Sequence, residues 1–183
     1  MAGMVRLVAL LRGVNVGGRP LSMSALRDAL AAAGCTDVVT YIQSGNVVLT
    51  PPEPAPDDLR TWLEHDVSAV AGFDVPVVLR TSEELEATVA ANPYPDAGGT
   101  QLHVVFFAAD PGTAVLDGLD LTTFAPEACT LVGRDLYLHL PGGMGRARLP
   151  VALERAGRAV QPPAVGTARN WNTVLKLVEL ASR

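Results

Sequence analysis

The residues best able to do chemistry stand near the start of the chain, in Arg12-Gly13-Val14-Asn15-Val16-Gly17-Gly18-Arg19. Two guanidiniums and one amide are set among three glycines. Arginine offers a planar fork of N–H donors that fits carboxylate and phosphate. Glycine permits positive φ and lets a ligand approach the backbone. A helical pattern follows, so the loop is expected to deliver the chain to a helix N-terminus, where free N–H groups and the dipole favour anions. The spacing is G-x-x-x-G-G. It matches neither G-x-x-x-x-G-K-[ST] nor G-x-G-x-x-G, which excludes nucleoside-triphosphatase and dinucleotide readings at this loop. Taken alone, the loop reads equally as a tight turn whose arginines are solvated or paired with carboxylates.

Three further segments carry polar groups in unusual places. Gln43-Ser44-Gly45-Asn46, after Tyr41 and Ile42, is by itself a hairpin turn. Thr167-Ala168-Arg169-Asn170-Trp171-Asn172-Thr173 reads as a first helical turn, with Thr167 as N-cap. Its apolar stripe is Trp171, Val174, Leu175, Val178 and Ala181; Arg169, Asn172, Thr173 and Lys176 lie opposite. Two asparagines in a first turn have poor helix propensity and imply specific hydrogen bonds. Gly142–Arg148 places two arginines just before a helix, against its dipole, which calls for a carboxylate or ligand partner.

Nucleophile and metal signatures are absent: there is no H-x-x-x-H, G-x-S-x-G or carboxylate pair. His65 lies beside Glu64 and Asp66 on a predicted helix. His103 and His139 fall on strands and could face each other across a sheet, with no carboxylate nearby in sequence. Cys35 and Cys129 are far apart and read as small buried hydrophobes. No metal and no cofactor is expected.

The elements that must position these groups follow from periodicity. Residues 4–12 form a strand buried on both faces. Residues 22–33 form a helix capped by Ser22 and ended by Gly34. DVVTYIQ and NVVLT form a hairpin, and a proline-rich connector leads to a helix over 57–71. After Gly72, residues 75–81 form a strand. The order β-α-β-β-α-β is the split βαβ, or ferredoxin-like, arrangement. Its sheet order, 4-1-3-2, sets the ends of strands one and two at the same edge. Two strand spacings then separate the Arg12–Arg19 loop from the Gln43–Asn46 turn by about 10 Å.

The remainder nearly repeats that order. A helix over 82–92, starting from a serine cap, links the halves. A strand, a short helix, a hairpin around Gly133-Arg134 and a helix opened by Pro150 follow, and the closing segment reads as helix in place of a sixth strand. The fold class expected is α+β: two ferredoxin-like subdomains in tandem, residues 1–81 and 82–183, the second ending in an extra helix.

"LLRGVNVGGR", "SALRDAL", "YIQSGNVVL" and "TARNWNTVLKL" together resemble the bacterial family called domain of unknown function 1697, nearly end to end. The resemblance implies two ferredoxin-like subdomains and no particular activity.

Charge narrows the partners. The chain of 183 residues has net charge −5, yet residues 134–183 hold 8 of its 14 basic and only 3 of its 19 acidic groups. An acidic body disfavours duplex nucleic acid, where many phosphates must be neutralised. No apolar run reaches the ~18 residues of a membrane span, and the cytoplasm is the expected compartment. The partner expected is a small phosphate- or carboxylate-bearing ligand, a nucleotide among them. It would sit where three segments converge: Arg12, Asn15, Gly17, Gly18 and Arg19; Gln43, Ser44 and Asn46; and Arg169, Asn170 and Asn172. Binding ranks ahead of catalysis. An enzyme on the same pocket would use arginine charge stabilisation, with Tyr41 or Ser44 for proton transfer. A structural or protein-interaction role is the third reading.

Overall fold

β1 (Leu7–Leu11) is a short apolar run whose residues are buried on both faces, as a central strand requires. A computed structural model describes the chain from residue 5 to residue 183, so Met4, placed in the predicted first strand, lies outside the described residues. α1 (Met23–Ala32) starts where the Ser22 hydroxyl accepts from the Ala25 N–H, and it buries Met23, Leu26 and Leu30. β2 (Thr36–Tyr41) and β3 (Asn46–Thr50) form the predicted hairpin, with Tyr41 opposite Asn46. α2 (Leu59–Ala71) is capped by Asp58 and stopped by Gly72 in the left-handed region. β4 (Val77–Thr81) completes a sheet of order β2-β3-β1-β4, antiparallel throughout. This is the split βαβ order. One face of the sheet (Ala9, Leu11, Val47, Leu49, Val77) packs with Leu26 and Leu30 of α1 and Leu63 and Val67 of α2.

α3 (Ser82–Ala90) follows β4 without a break. Its cap is Thr81, not Ser82: the Thr81 hydroxyl accepts from Glu84 N–H, and the Glu84 carboxylate accepts from Thr81 N–H, a capping box. β5 (Leu102–Phe107), β6 (Ala128–Val132), β7 (Asp135–His139) and β8 (Gly166–Asn170) form the second sheet, order β6-β7-β5-β8. α4 (Leu149–Ala159) and two 3-10 turns (Thr113–Val115, Leu121–Phe124) surround it. Phe107, Leu136, Leu138, Leu149 and Leu153 form its core.

β8 corrects the sequence reading at the C-terminus. Residues 166–170 are the sixth strand of the repeat, not the start of a helix, and Thr167 caps nothing. Burial alternates along it: Thr167 and Arg169 are buried and Ala168 is exposed. Pairing with β5 from Phe107↔Gly166 to His103↔Asn170 satisfies the edge of β5; a partner strand distant in sequence overrides weak local propensity. α5 (Trp171–Ala181) then starts with Asn170, whose Oδ1 accepts from the Thr173 N–H at 2.9 Å. Its buried face is Thr173, Val174, Leu177 and Ala181, whereas Leu175, assigned to the apolar stripe, is 44% exposed.

The chain divides into two compact units: Met1–Glu86 with Leu177–Arg183, and Ala87–Lys176. In the first, the Arg6 guanidinium donates to Leu180 O, near the C-terminal end of α5, where the dipole favours a cation. Among the described residues no helix is long and apolar enough to cross a membrane.

Candidate functional site

At the end of β1 in the first unit the chain makes a miniature hairpin. Arg19 N–H donates to Val16 O at 3.1 Å, and Asn15 N–H donates to Arg19 O at 2.7 Å. Gly17 and Gly18, at φ 56° and 77°, are the central residues of that turn; two successive positive φ values are what a type I′ turn needs. A Cβ built on either would meet nothing within 4 Å, so this tip faces open space. The tip does not lead straight into α1. Pro20, Leu21 and the capping Ser22 intervene, which separates the glycines from the helix N-terminus that the sequence reading joined to them.

Asn15 holds the tip in place. Its Oδ1 accepts from Leu21 N–H at 2.8 Å, and its Nδ2 donates to Leu21 O at 3.1 Å and to Gln43 O at 2.7 Å. The expected meeting of loop and turn therefore occurs, through one side chain. Asn15 sits at φ 54°, a left-handed conformation that asparagine tolerates better than most residues. On the turn, Asn46 is fully buried, and its Nδ2 donates to Tyr41 O and to the Ser44 hydroxyl, both at 3.0 Å. Gly45 closes the junction: Leu11 N–H donates to its carbonyl at 2.8 Å. Gln43 and Ser44 are exposed.

Arg19 is exposed, yet held. Its guanidinium carbon lies 4.4 Å from the centroid of the Phe73 ring, and its Nη2 donates to Asp74 O at 2.5 Å. Phe73 is itself packed against the core. Among the described residues that one hydrogen bond is all the guanidinium donates, which leaves most of its five N–H donors for solvent or a ligand. Arg12 stands half-buried at the root of the loop, its N–H donating to Pro76 O at 3.0 Å. Beside Asp74 runs a shallow groove of about 540 Å³ that also includes Glu64, His65, Ser68 and Pro76. Its carboxylates make it a poor wall for an anion. Sequence reasoning missed Phe73 and Asp74, because nothing local to a Phe-Asp pair after a helix signals a guanidinium from 54 residues earlier.

The second unit offers a control. There Phe107 N–H donates to Arg134 O at 2.9 Å, and the Arg134 guanidinium donates to Ala108 O at 3.2 Å, so a strand end again meets its hairpin turn. That crossing runs from β5 to the next turn through residues 108–112 only, whereas residues 12–22 connect β1 to α1. The extra glycine-arginine tip of the first unit is not demanded by the fold.

Arg169, Asn170 and Asn172 belong to the second unit. Arg169 is 6% exposed, and it donates to the Thr167 hydroxyl and to Ala168 O, both at 2.8 Å; burial pushes its guanidinium pKa down to about 10. Asn170 caps α5, and Asn172 lies against Gly99, where a Cβ would overlap its side-chain amide. The Arg148 guanidinium does not meet the carboxylate or ligand expected for the Gly142–Arg148 loop. It donates to Thr123 O at 3.0 Å and lies 5.7 Å from the centroid of the Phe124 ring, while Glu127 accepts from the backbone N–H groups of Arg148 and, at 2.7 Å, of Leu149 at the start of α4.

His103 and His139 do not face each other. His103 is opposite Leu138, and Leu102 is opposite His139, so the histidines point to opposite faces of the sheet. His139 stacks on Tyr94 at 5.4 Å. His103 is 9% exposed, and its Nδ1 is buried without a hydrogen-bond partner; burial lowers its pKa below the usual 6.5. The unfolded chain then binds the proton more readily. The stability that neutral His103 contributes is full above about pH 6.5 and is lost as pH falls below it. Urea titrations between pH 7.5 and 5.5 should show that slope, and His103→Gln should flatten it. Among the described residues no three His, Cys, Asp or Glu side chains group as a metal site would require.

The arrangement at Arg19 and Gly17-Gly18 can hold an anion through backbone amides and one fixed guanidinium; it presents no activated nucleophile. Comparison with known proteins agrees on the architecture. A solved structure, that of the conserved bacterial protein SP0830 from Streptococcus pneumoniae, is similar over 98% of this chain and 99% of its own, with TM-score 0.68 and 22% identity. Curated proteins provide no match. The family described as protein of unknown function (DUF1697) matches residues 4–137, more than half of the chain. The chain belongs to that family.

Proposed function

We propose that this protein binds a small phosphate- or carboxylate-bearing ligand on its first unit, at the tip formed by residues 16–19 beside the Gln43–Ser44 turn. The observation that carries the reading is Arg19: an exposed guanidinium, braced by Phe73 and Asp74 O, with donors unspent. A braced arginine gives up little rotamer entropy when it closes on an anion, so its charge-assisted hydrogen bonds are available at full strength. Gly17 and Gly18 add backbone N–H groups on an open tip, and Arg12 adds positive charge at the root. Gln43 and Ser44 supply polar contacts from the turn that Asn15 ties down. The Arg169–Asn172 segment, expected as a third wall, is engaged within the second unit in burying a guanidinium, capping α5 and packing on Gly99.

A ligand that binds only the folded chain raises its melting temperature by mass action. A panel of phosphorylated metabolites and dicarboxylates should contain members that do so. Arg19→Ala should abolish the shift and Arg12→Ala should reduce it. Shifts identical in wild type and both variants would defeat the reading.

A further inference from the structure

The way Arg19 is held says more about the ligand than that it is charged. A guanidinium has two chemically different surfaces: an edge of N–H donors for anions and a flat face that stacks on π systems. Phe73 takes one face of Arg19 at 4.4 Å, and the hydrogen bond to Asp74 O fixes the rotation of the plane. Gly13 runs alongside the guanidinium: a Cβ there would stand 4.0 Å from the guanidinium carbon, an ordinary contact. A simple anion needs only the edge. Fixing the plane against an aromatic ring has a use when a second flat group lies on the other side. The rim around it is apolar as well as polar: Val16 is 59% exposed on the tip and Ile42 50% exposed on the turn. Each is one residue, ~3.8 Å of chain, from the ends of the Asn15–Gln43 hydrogen bond. Ile42 is held at φ 51°, a region that β-branched side chains avoid.

We infer that the ligand carries a planar aromatic ring, of the nucleobase kind, which stacks on the outer face of the Arg19 guanidinium. Its phosphate takes the Gly17 and Gly18 amides and the guanidinium edge. This rests on the anion reading above and names the class of anion: a nucleoside monophosphate rather than a sugar phosphate or an aliphatic carboxylate. Stacking of a base on a protein π surface contributes enough to change affinity roughly tenfold or more.

The test is calorimetric titration of the full chain with adenosine 5′-monophosphate, ribose 5-phosphate and adenosine. The first two differ only in the base, the first and third only in the phosphate. Wild type should bind the nucleotide about tenfold or more tighter than ribose 5-phosphate. Arg19→Lys keeps the charge and loses both the plane and the donor fork; it should weaken ribose 5-phosphate and weaken the nucleotide further, erasing the preference. Phe73→Leu, checked for an unchanged fold by circular dichroism, should do the same. Equal affinities for nucleotide and sugar phosphate, or a preference that survives Arg19→Lys, overturns the stacking inference and leaves the anion reading intact. Adenosine binding as tightly as its monophosphate overturns the anion reading instead, and binding of none of the three overturns the nucleotide inference, with the anion reading decided by the wider panel.

Discussion

Gly45→Ala should destabilise the first unit by about 3 kcal/mol, on combined estimates for overpacking and left-handed backbone strain. Two independent causes act at this one position. Its φ is +77°, where any Cβ is strained, and a Cβ there would sit 2.6 Å from Val14 Cγ2 and 2.7 Å from Leu11 Cβ. Neither neighbour is the far end of a flexible chain. Leu11 and Val14 are buried at 1% and 3% exposure and belong to the core beneath α1 and α2, so relief requires the turn to lift away. Lifting it also strains the Leu11 N–H bond to Gly45 O. Urea unfolding followed by Trp62 fluorescence in a Trp171→Phe background reads the first unit, because Trp62 packs against that core. A loss below about 0.5 kcal/mol, the size of an ordinary surface change, would show that the turn is not clamped on the strand end.

Asn15→Ala should destabilise by about 4 kcal/mol, and should loosen the tip as well. The substitution removes the acceptor of Leu21 N–H and the donor to Leu21 O and Gln43 O, at ~1 kcal/mol per net hydrogen bond. It also leaves alanine at φ 54°, which adds roughly 1 kcal/mol. Asn15→Gly separates the two contributions, since glycine accepts the left-handed backbone without penalty. It should recover only the smaller part. Both variants should speed hydrogen exchange at Leu21 N–H, and both should weaken any anion that Arg19 holds, because Arg19 O is the acceptor of Asn15 N–H. If Asn15→Gly were as stable as wild type, the side-chain bracket would have no energetic role.

What could be read from the sequence divides along the distance between cause and effect. Ser22 as cap, Gly72 as stop and the Tyr41–Asn46 hairpin were legible because the deciding atoms lie within a few residues. The order of elements then predicted that loop and turn share one edge, and Asn15 joins them. Legibility failed where a distant strand decides. β8 exists because β5 needs a partner; residues 166–170 read alone favour no strand. The two histidines were placed on the right strands, but the β5–β7 register set them on opposite faces. The arginines of Gly142–Arg148 suggest a carboxylate or ligand partner, but the fold gives the Arg148 guanidinium Thr123 O and the Phe124 ring, and leaves Glu127 to the backbone N–H groups at the start of α4. Arg19 was singled out for its type and spacing. Its brace on Phe73 and Asp74, which turns a surface arginine into a candidate site, depends on packing between segments far apart in the chain.

The most direct test of the central claim is nuclear magnetic resonance titration of 15N-labelled protein with adenosine 5′-monophosphate. The amides of Gly17 and Gly18 and the Nε–H of Arg19 should shift together along one saturating curve, and Arg19→Ala should abolish the shifts. Saturable binding that leaves those three resonances in place and moves others would contradict the assignment of the anion site to this tip.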